Sequence, residues 1–230
     1  MTAQPGRSDA RPPVEWSPAD LRRHLDEVLD VYCAAMGYPR SAGRQRKGYV
    51  VVHSERSGFR AIGTHDPTGA VIGFAYGYRG APGQWWHDEV RSGLSDEQAD
   101  RWLADPFELC ELHVRPDHQG HGLGHRLLAG LLEDCPQQTV VLSTPEGPSR
   151  AWRLYRRVGF TDVLRRHRFA GDNRDFAVLG RSLPFDGSLL PRYGSSPLHG
   201  SLHGSLPLHG PLPLHGPLPL HGGTADGRHD

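Results

Sequence analysis

The chain has 230 residues, is 37% hydrophobic, and carries 26 lysines plus arginines against 26 aspartates plus glutamates. That is enough for one globular domain with a sizeable core, while zero net formal charge gives no support for nucleic-acid binding. No apolar run approaches bilayer-spanning length, and Cys33, Cys110 and Cys135 form no CxxC pair, so the expectation is a soluble, cytoplasmic protein with reduced thiols, no membrane contact and no nucleic-acid partner.

Residues 1–15 are polar and proline-rich and lack the apolar stretch of a signal peptide, so they are expected to be disordered. Ser17 reads as an N-cap with Pro18 at the first helical position. Leu21, Leu25, Val28, Leu29, Tyr32 and Met36 then follow at helical spacing until Gly37 and Pro39. A second, weaker helix is expected over about 44–56. Phe59–Gly63 and Val71–Tyr78 read as a hairpin around Asp66-Pro67-Thr68-Gly69.

Trp85 to Leu103 predicts one or two short helices broken near Gly93, with Ser95 as a cap. Phe107–Val114 is an apolar strand ended by Arg115-Pro116. A helix follows from about Leu123 to Glu133, and Thr139–Ser143 is rich in β-branched residues and reads as a strand. Ser149–Arg157 is helical, Gly159 stops it, and residues 160–169 and 174–183 predict a closing hairpin. Helix–strand alternation in the second half implies an α/β fold with a mixed, partly parallel sheet flanked by helices over residues 16–184.

From residue 185 the composition changes. His-Gly recurs at 199, 203, 209, 215 and 221, and PLPLHG settles into a six-residue period. Proline at this density opposes both helix and sheet, so an extended, disordered tail is expected. The histidines lack the tight spacing and scaffold of a defined metal site, and a repeat without fixed role is the simpler reading.

The most informative stretch runs from Val114 through Pro116, Gln119, Gly120, His121, Gly122, Leu123 and Gly124 to His125. A strand enters a proline turn, three glycines alternate, and an amphipathic helix begins. Glycines let backbone N–H groups converge on phosphate oxygens, and a helix N-terminus adds unpaired donors and a positive dipole end. A Walker loop would need lysine and Ser/Thr after its last glycine, and the dinucleotide fingerprint needs GxGxxG where this chain has GxGxG. His121 and His125 lie four apart without the glutamate of HExxH, so no metal site is expected.

V-x-P-x-x-Q-G-x-G-x-G, here Val114 to Gly124, resembles the acetyl-CoA motif of the GNAT superfamily of N-acetyltransferases. Thr139–Ser143, then Ser149 to Tyr155, then Val158-Gly159-Phe160 match the strand, helix and glycine–phenylalanine ending that follow it in that family. The resemblance implies a splayed central sheet flanked by helices and acetyl-CoA as acetyl-donating co-substrate. It implies that the pyrophosphate rests on Gln119–Gly124, with His121 and His125 either solvating the loop or touching phosphate. Leu112, His113 and Val114 would bind the pantetheine arm through their backbone, as an added strand does. Gln119 stands where arginine is more frequent, and Arg126, Arg150 or Arg153 could compensate.

The same resemblance implies direct attack of a primary amine on the thioester where strands 107–114 and 139–143 part, without a covalent enzyme intermediate. Glu108 and Glu111 are the candidate bases. On an ideal strand they face opposite sides, a parity that a bulge would break. Tyr155 matches the family tyrosine that protonates the departing thiolate, and backbone N–H groups near Leu112 could hold the oxyanion. Cys110 reads as a buried strand cysteine and Trp85-Trp86-His87 as core aromatics more than as pocket wall. The acceptor stays open, as does a homodimer. A non-catalytic acyl-CoA-binding module is the alternative; it could dispense with Glu108, Glu111 and Tyr155.

Overall fold

The computed structural model describes residues 10–185. In chain order they form β1 (Val14–Trp16), α1 (Pro18–Arg23), α2 (Leu25–Met36), α3 (Arg40–Ser54), β2 (Arg60–His65), β3 (Val71–Arg79), α4 (Trp85–Ser92) and α5 (Asp96–Trp102). There follow β4 (Pro106–Val114), α6 (Leu123–Leu132), β5 (Thr139–Pro145), α7 (Arg150–Arg157), β6 (Thr161–His167) and β7 (Phe176–Ser182). The strands make one sheet in the order β1-β2-β3-β4-β5-β7-β6. Every neighbouring pair is antiparallel except β4 and β5. The expected tail and the N-terminal nine residues lie outside the described residues.

Helices cover both faces. On one, Leu123, Leu127 and Leu131 of α6 stand at i, i+4 spacing and pack with Leu128 on Ile62, Ile72, Ala75, Leu109 and Val114. Tyr155 and Val158 from α7 and its C-cap extend that core over Leu142 and Leu179. Each leucine fully buried in this way contributes roughly 1.5–3 kcal/mol. The opposite face is covered in two halves. Leu25, Val28, Leu29, Tyr32 and Val50 of α2 and α3 pack on Phe74 and Tyr76. Trp86, Val90, Ala99 and Trp102 of α4 and α5 pack on Val141, Phe176 and Val178.

Three local differences from expectation have visible causes. Val14 and Glu15, placed at the end of the disordered N-terminus by composition, join Trp16 in an edge strand paired with Ala61–Gly63. The Trp16 ring lies over Gly63 so closely that a Cβ there would come within 1.9 Å of it. The single helix expected from Pro18 to Met36 breaks at His24 (φ −93°, ψ 12°), whose ring stacks on Trp16 at 5.0 Å. The expected 44–56 helix begins earlier, at Arg40, with extended Pro39 as its N-cap. Ser95 caps α5 as expected, in a reciprocal capping box with Gln98.

Candidate active site

The sheet opens at one place. β4 and β5 pair in parallel only at Pro106–Thr139, Phe107–Val140 and Glu108–Val141. Beyond Glu108 the two strands part, while β4 stays bonded to β3 as far as Val114. One edge of β4 from Leu109 onward therefore faces the gap with N–H and C=O groups that β5 does not take up. An extended ligand segment can add to such an edge.

The glycine loop lies at the far end of the same strand. Pro116–His118 forms a 3-10 turn, and Gly122 is the N-cap of α6. Gly120 (φ 87°) and Gly122 (φ 76°) hold left-handed backbone, and a Cβ on either would meet nothing within 4 Å. The loop is therefore an open cradle whose shape glycine permits. The first N–H groups of α6 have no partner within the helix and point into it. Gln119 Nε2 donates to the Val114 carbonyl at 2.8 Å, and Arg150 Nη1 donates to Gln119 Oε1 at 3.3 Å. Gln119 thus pins the loop to the strand end and brings Arg150 beside it. Arg150 is one of the three arginines expected to compensate for the missing loop cation. Burial, with Arg157 nearby, pushes the His125 pKa down, so its ring is neutral near pH 7.

The structure settles the parity of the two carboxylates. Tyr76 pairs with Glu111, but Gly77 pairs with Leu109, leaving Cys110 as an extra residue. This β-bulge places Glu108 and Glu111 on one face, correcting the opposite-side expectation of an ideal strand. Gly77 permits it: a Cβ there would lie 2.2 Å from the Glu108 carbonyl oxygen.

Their surroundings differ. Glu111 is 4% exposed and forms a buried ion pair with Arg46 of α3. Its Oε2 lies 2.5 Å from His113 Nε2, and the Arg46 guanidinium covers the Tyr32 ring at 4.7 Å. Glu108 is 1% exposed. Burial pushes its carboxyl up to about 7, opposed by the Arg56 charge and by hydrogen bonds from Tyr78 and Cys110. Glu108 therefore exchanges a proton near neutrality.

Tyr155 is buried on α7, against Phe160 at 5.4 Å. Burial and the charge of Glu111 raise its phenol, which stays protonated and able to donate. Trp86 Nε1 donates to Ser143 Oγ at 3.1 Å, tying α4 to β5 beside the opening. Trp85 packs on Phe169 at 5.7 Å, so this pair serves mainly as core. Burial raises the Cys110 thiol well above its ordinary range, in keeping with a packing role. The sequence reading missed Arg46, Arg56, Tyr32 and Tyr78. Only their density on α2, α3, β3 and the turn after α3 could have signalled them. Among the described residues no group of three or more His, Cys, Asp or Glu side chains could hold a metal ion, and no helix is long and apolar enough to cross a membrane.

Residues 25–160 match the model of the acetyltransferase (GNAT) family. The chain is 41% identical to the GCN5-like protein acetyltransferase Rv2170 of Mycobacterium tuberculosis, over 74% of this chain and 97% of that protein. Its fold is similar to YncA of Salmonella typhimurium, solved with acetyl-CoA (TM-score 0.51, 18% identity, 78% of this chain and 97% of that one). It is also similar to the PaiA N-acetyltransferase of Thermoplasma acidophilum in complex with coenzyme A (TM-score 0.50, 14% identity, 76% and 100%).

Proposed function

The chain belongs to the acetyltransferase (GNAT) family, and on that premise we propose that it transfers the acetyl group of acetyl-CoA directly to a primary amine carried by a protein. Acetyl-CoA is its co-substrate. The observation that carries the reading is the join of three features along β4: the open edge beyond Glu108, the glycine cradle past Val114, and a buried carboxyl exchanging its proton at about 7. A protein acceptor rests on the 41% identity to a relative named as a protein acetyltransferase.

The residues fit the co-substrate. Gly120 and Gly122 leave room for the pyrophosphate, and Gln119, His121, Leu123, Gly124 and His125 frame it with the α6 N-terminus. Arg150 supplies a cation beside Gln119. The free edge of β4 at Leu112, His113 and Val114 bonds the pantetheine amides. Bound there, acetyl-CoA presents a thioester carbonyl as the electrophile. Glu108 accepts the proton of the incoming ammonium, and the neutral amine forms the C–N bond as the C–S bond breaks. Tyr155 donates its phenolic proton to the departing sulfur, and the second proton shed by the attacking nitrogen as the amide forms restores the phenol by way of solvent, while Glu108 returns the ammonium proton to solvent. Glu111, committed to Arg46 and His113, holds the strand and its bulge in place.

Thiol release from acetyl-CoA, followed with lysine-bearing peptides and with Nα-blocked lysine amide, tests the assignment. Turnover that Glu108→Gln abolishes supports it. Tight acetyl-CoA binding with no acetyl product on any lysine or N-terminal amine would favour a non-catalytic binding module.

A further inference from the structure

The split between β4 and β5 has two lips. Glu108 and Val141 are the last residues paired across it, and side chains paired in register share one face of the sheet. Ser143, two residues further along β5, returns to that face. Two contacts agree with this placement. Ser143 pairs with Val178 of β7, which packs with Trp86, Val90 and Val141 beneath α4 and α5. The Ser143 hydroxyl also accepts from Trp86 Nε1 of α4 at 3.1 Å. Ser143 thus stands across the split from Glu108, on the face that α2 and α3 cover from one side and α4 and α5 from the other. The seam between those two covers lies over the split. Ser143 is half-buried there, whereas Glu108 is buried.

We propose that Ser143 binds the acceptor: its oxygen, held by the Trp86 indole, accepts a hydrogen bond from the incoming amine while Glu108 takes that amine's proton from the other lip. The proposal rests on the acetyl-transfer reading and names one contact of its acceptor site. A serine oxygen carries two lone pairs and one proton. Trp86 occupies one pair, and among the described residues the hydroxyl has no other hydrogen bond. The second pair is left for what enters the split. Trp86 is 3% exposed, so its indole cannot swing away and its N–H fixes the Ser143 side chain. An ammonium suits the two lips, because it has an N–H for each. Once Glu108 holds one proton, the bond to Ser143 keeps the neutral nitrogen in place with its lone pair free to attack. The reach is adequate. In an unsplit sheet the Cα atoms of two such diagonal neighbours lie roughly 8 Å apart. Two N–H···O bonds span roughly 6 Å, and the long Glu108 side chain covers the remainder. Trp86 acts only through Ser143 and is a positioning residue.

The test is calorimetric titration of the full chain with a bisubstrate probe, coenzyme A joined through an S-linked acetyl bridge to the Nε of Nα-acetyl-lysine amide. The probe keeps one N–H where the attacking nitrogen would lie, and it binds without turnover. The wild type should bind it more tightly than acetyl-CoA. Ser143→Ala should weaken the probe roughly three- to tenfold while acetyl-CoA affinity stays unchanged. Ser143→Thr keeps the hydroxyl and should restore probe affinity, which a merely structural serine would not require. Trp86→Phe removes the N–H and should weaken the probe in the same direction by less; the two serine variants decide the matter if it folds poorly. Equal probe affinity in the wild type and Ser143→Ala overturns the inference, as does an equal loss of probe and acetyl-CoA affinity. A wild type that binds the probe no better than acetyl-CoA also overturns it. Thiol release tests acetyl transfer separately. Probe binding that depends on Ser143 without any turnover would sink the transfer reading and leave the contact standing, and turnover with probe binding indifferent to Ser143 would do the reverse.

Discussion

Replacing Glu108 by Gln should stabilise the fold while removing activity. The folded carboxyl titrates at about 7 against 4.5 for an ordinary glutamate. Between those values the folded chain keeps a proton that the unfolded chain has released, so the stability of the native protein falls as pH rises through that window. The full span, about 2.5 units at about 1.4 kcal/mol each, is about 3 kcal/mol. Gln keeps the shape and cannot ionise, so it escapes this loss. Urea unfolding of both proteins at about pH 5 and about pH 8 isolates the effect, because the other titrating groups cancel in the difference. The stability advantage of Glu108→Gln should grow by roughly 2–3 kcal/mol from the lower to the higher pH. A constant difference would refute the claim that Glu108 is held neutral by burial. A carboxyl ionised at a cost of this size is more expected of a working base than of a structural residue.

Wild-type kcat/KM should rise with pH along a single acid limb centred at about 7, read from thiol release with a fixed acceptor. Arg46→Met takes the guanidinium from the buried Glu111 carboxylate, leaving it His113, and should destabilise the chain by roughly 3–5 kcal/mol in chemical denaturation. Adding Glu111→Gln should recover most of that loss. Tyr155→Phe should lower kcat by roughly a hundredfold while calorimetric affinity for acetyl-CoA stays unchanged. An unaltered kcat would remove Tyr155 from the proton path.

The legible parts of this protein were those written in local sequence. The loop from Val114 to Gly124 could be read because strand, proline turn, glycines and helix follow each other directly. The Ser95 capping box and the Val71–Tyr78 strand could be read for the same reason. What escaped depends on contacts between distant residues. Val14–Trp16 becomes a strand because Trp16 finds a glycine at position 63. Glu108 and Glu111 share a face because Cys110 bulges opposite Gly77, and nothing in the run Glu108-Leu109-Cys110-Glu111 announces a bulge. Arg46 looks like an ordinary polar position on a weakly amphipathic helix until α3 lays it over Tyr32 against Glu111. Parity could not distinguish the carboxylates; their surroundings differ, Glu111 lying in an ion pair with Arg46 and Glu108 being buried with its carboxyl pushed up to about 7.

The central claim is that the Gln119–Gly124 cradle and the open edge of β4 hold acetyl-CoA. Calorimetric titration of acetyl-CoA into the full chain, beside Gly122→Glu, tests it most directly. The variant places a carboxylate, on backbone at φ 76°, where the pyrophosphate is expected to lie. Saturable binding by the wild type that the folded variant loses is the result the account predicts. Equal binding by both, or none by a well-folded wild type, would contradict it.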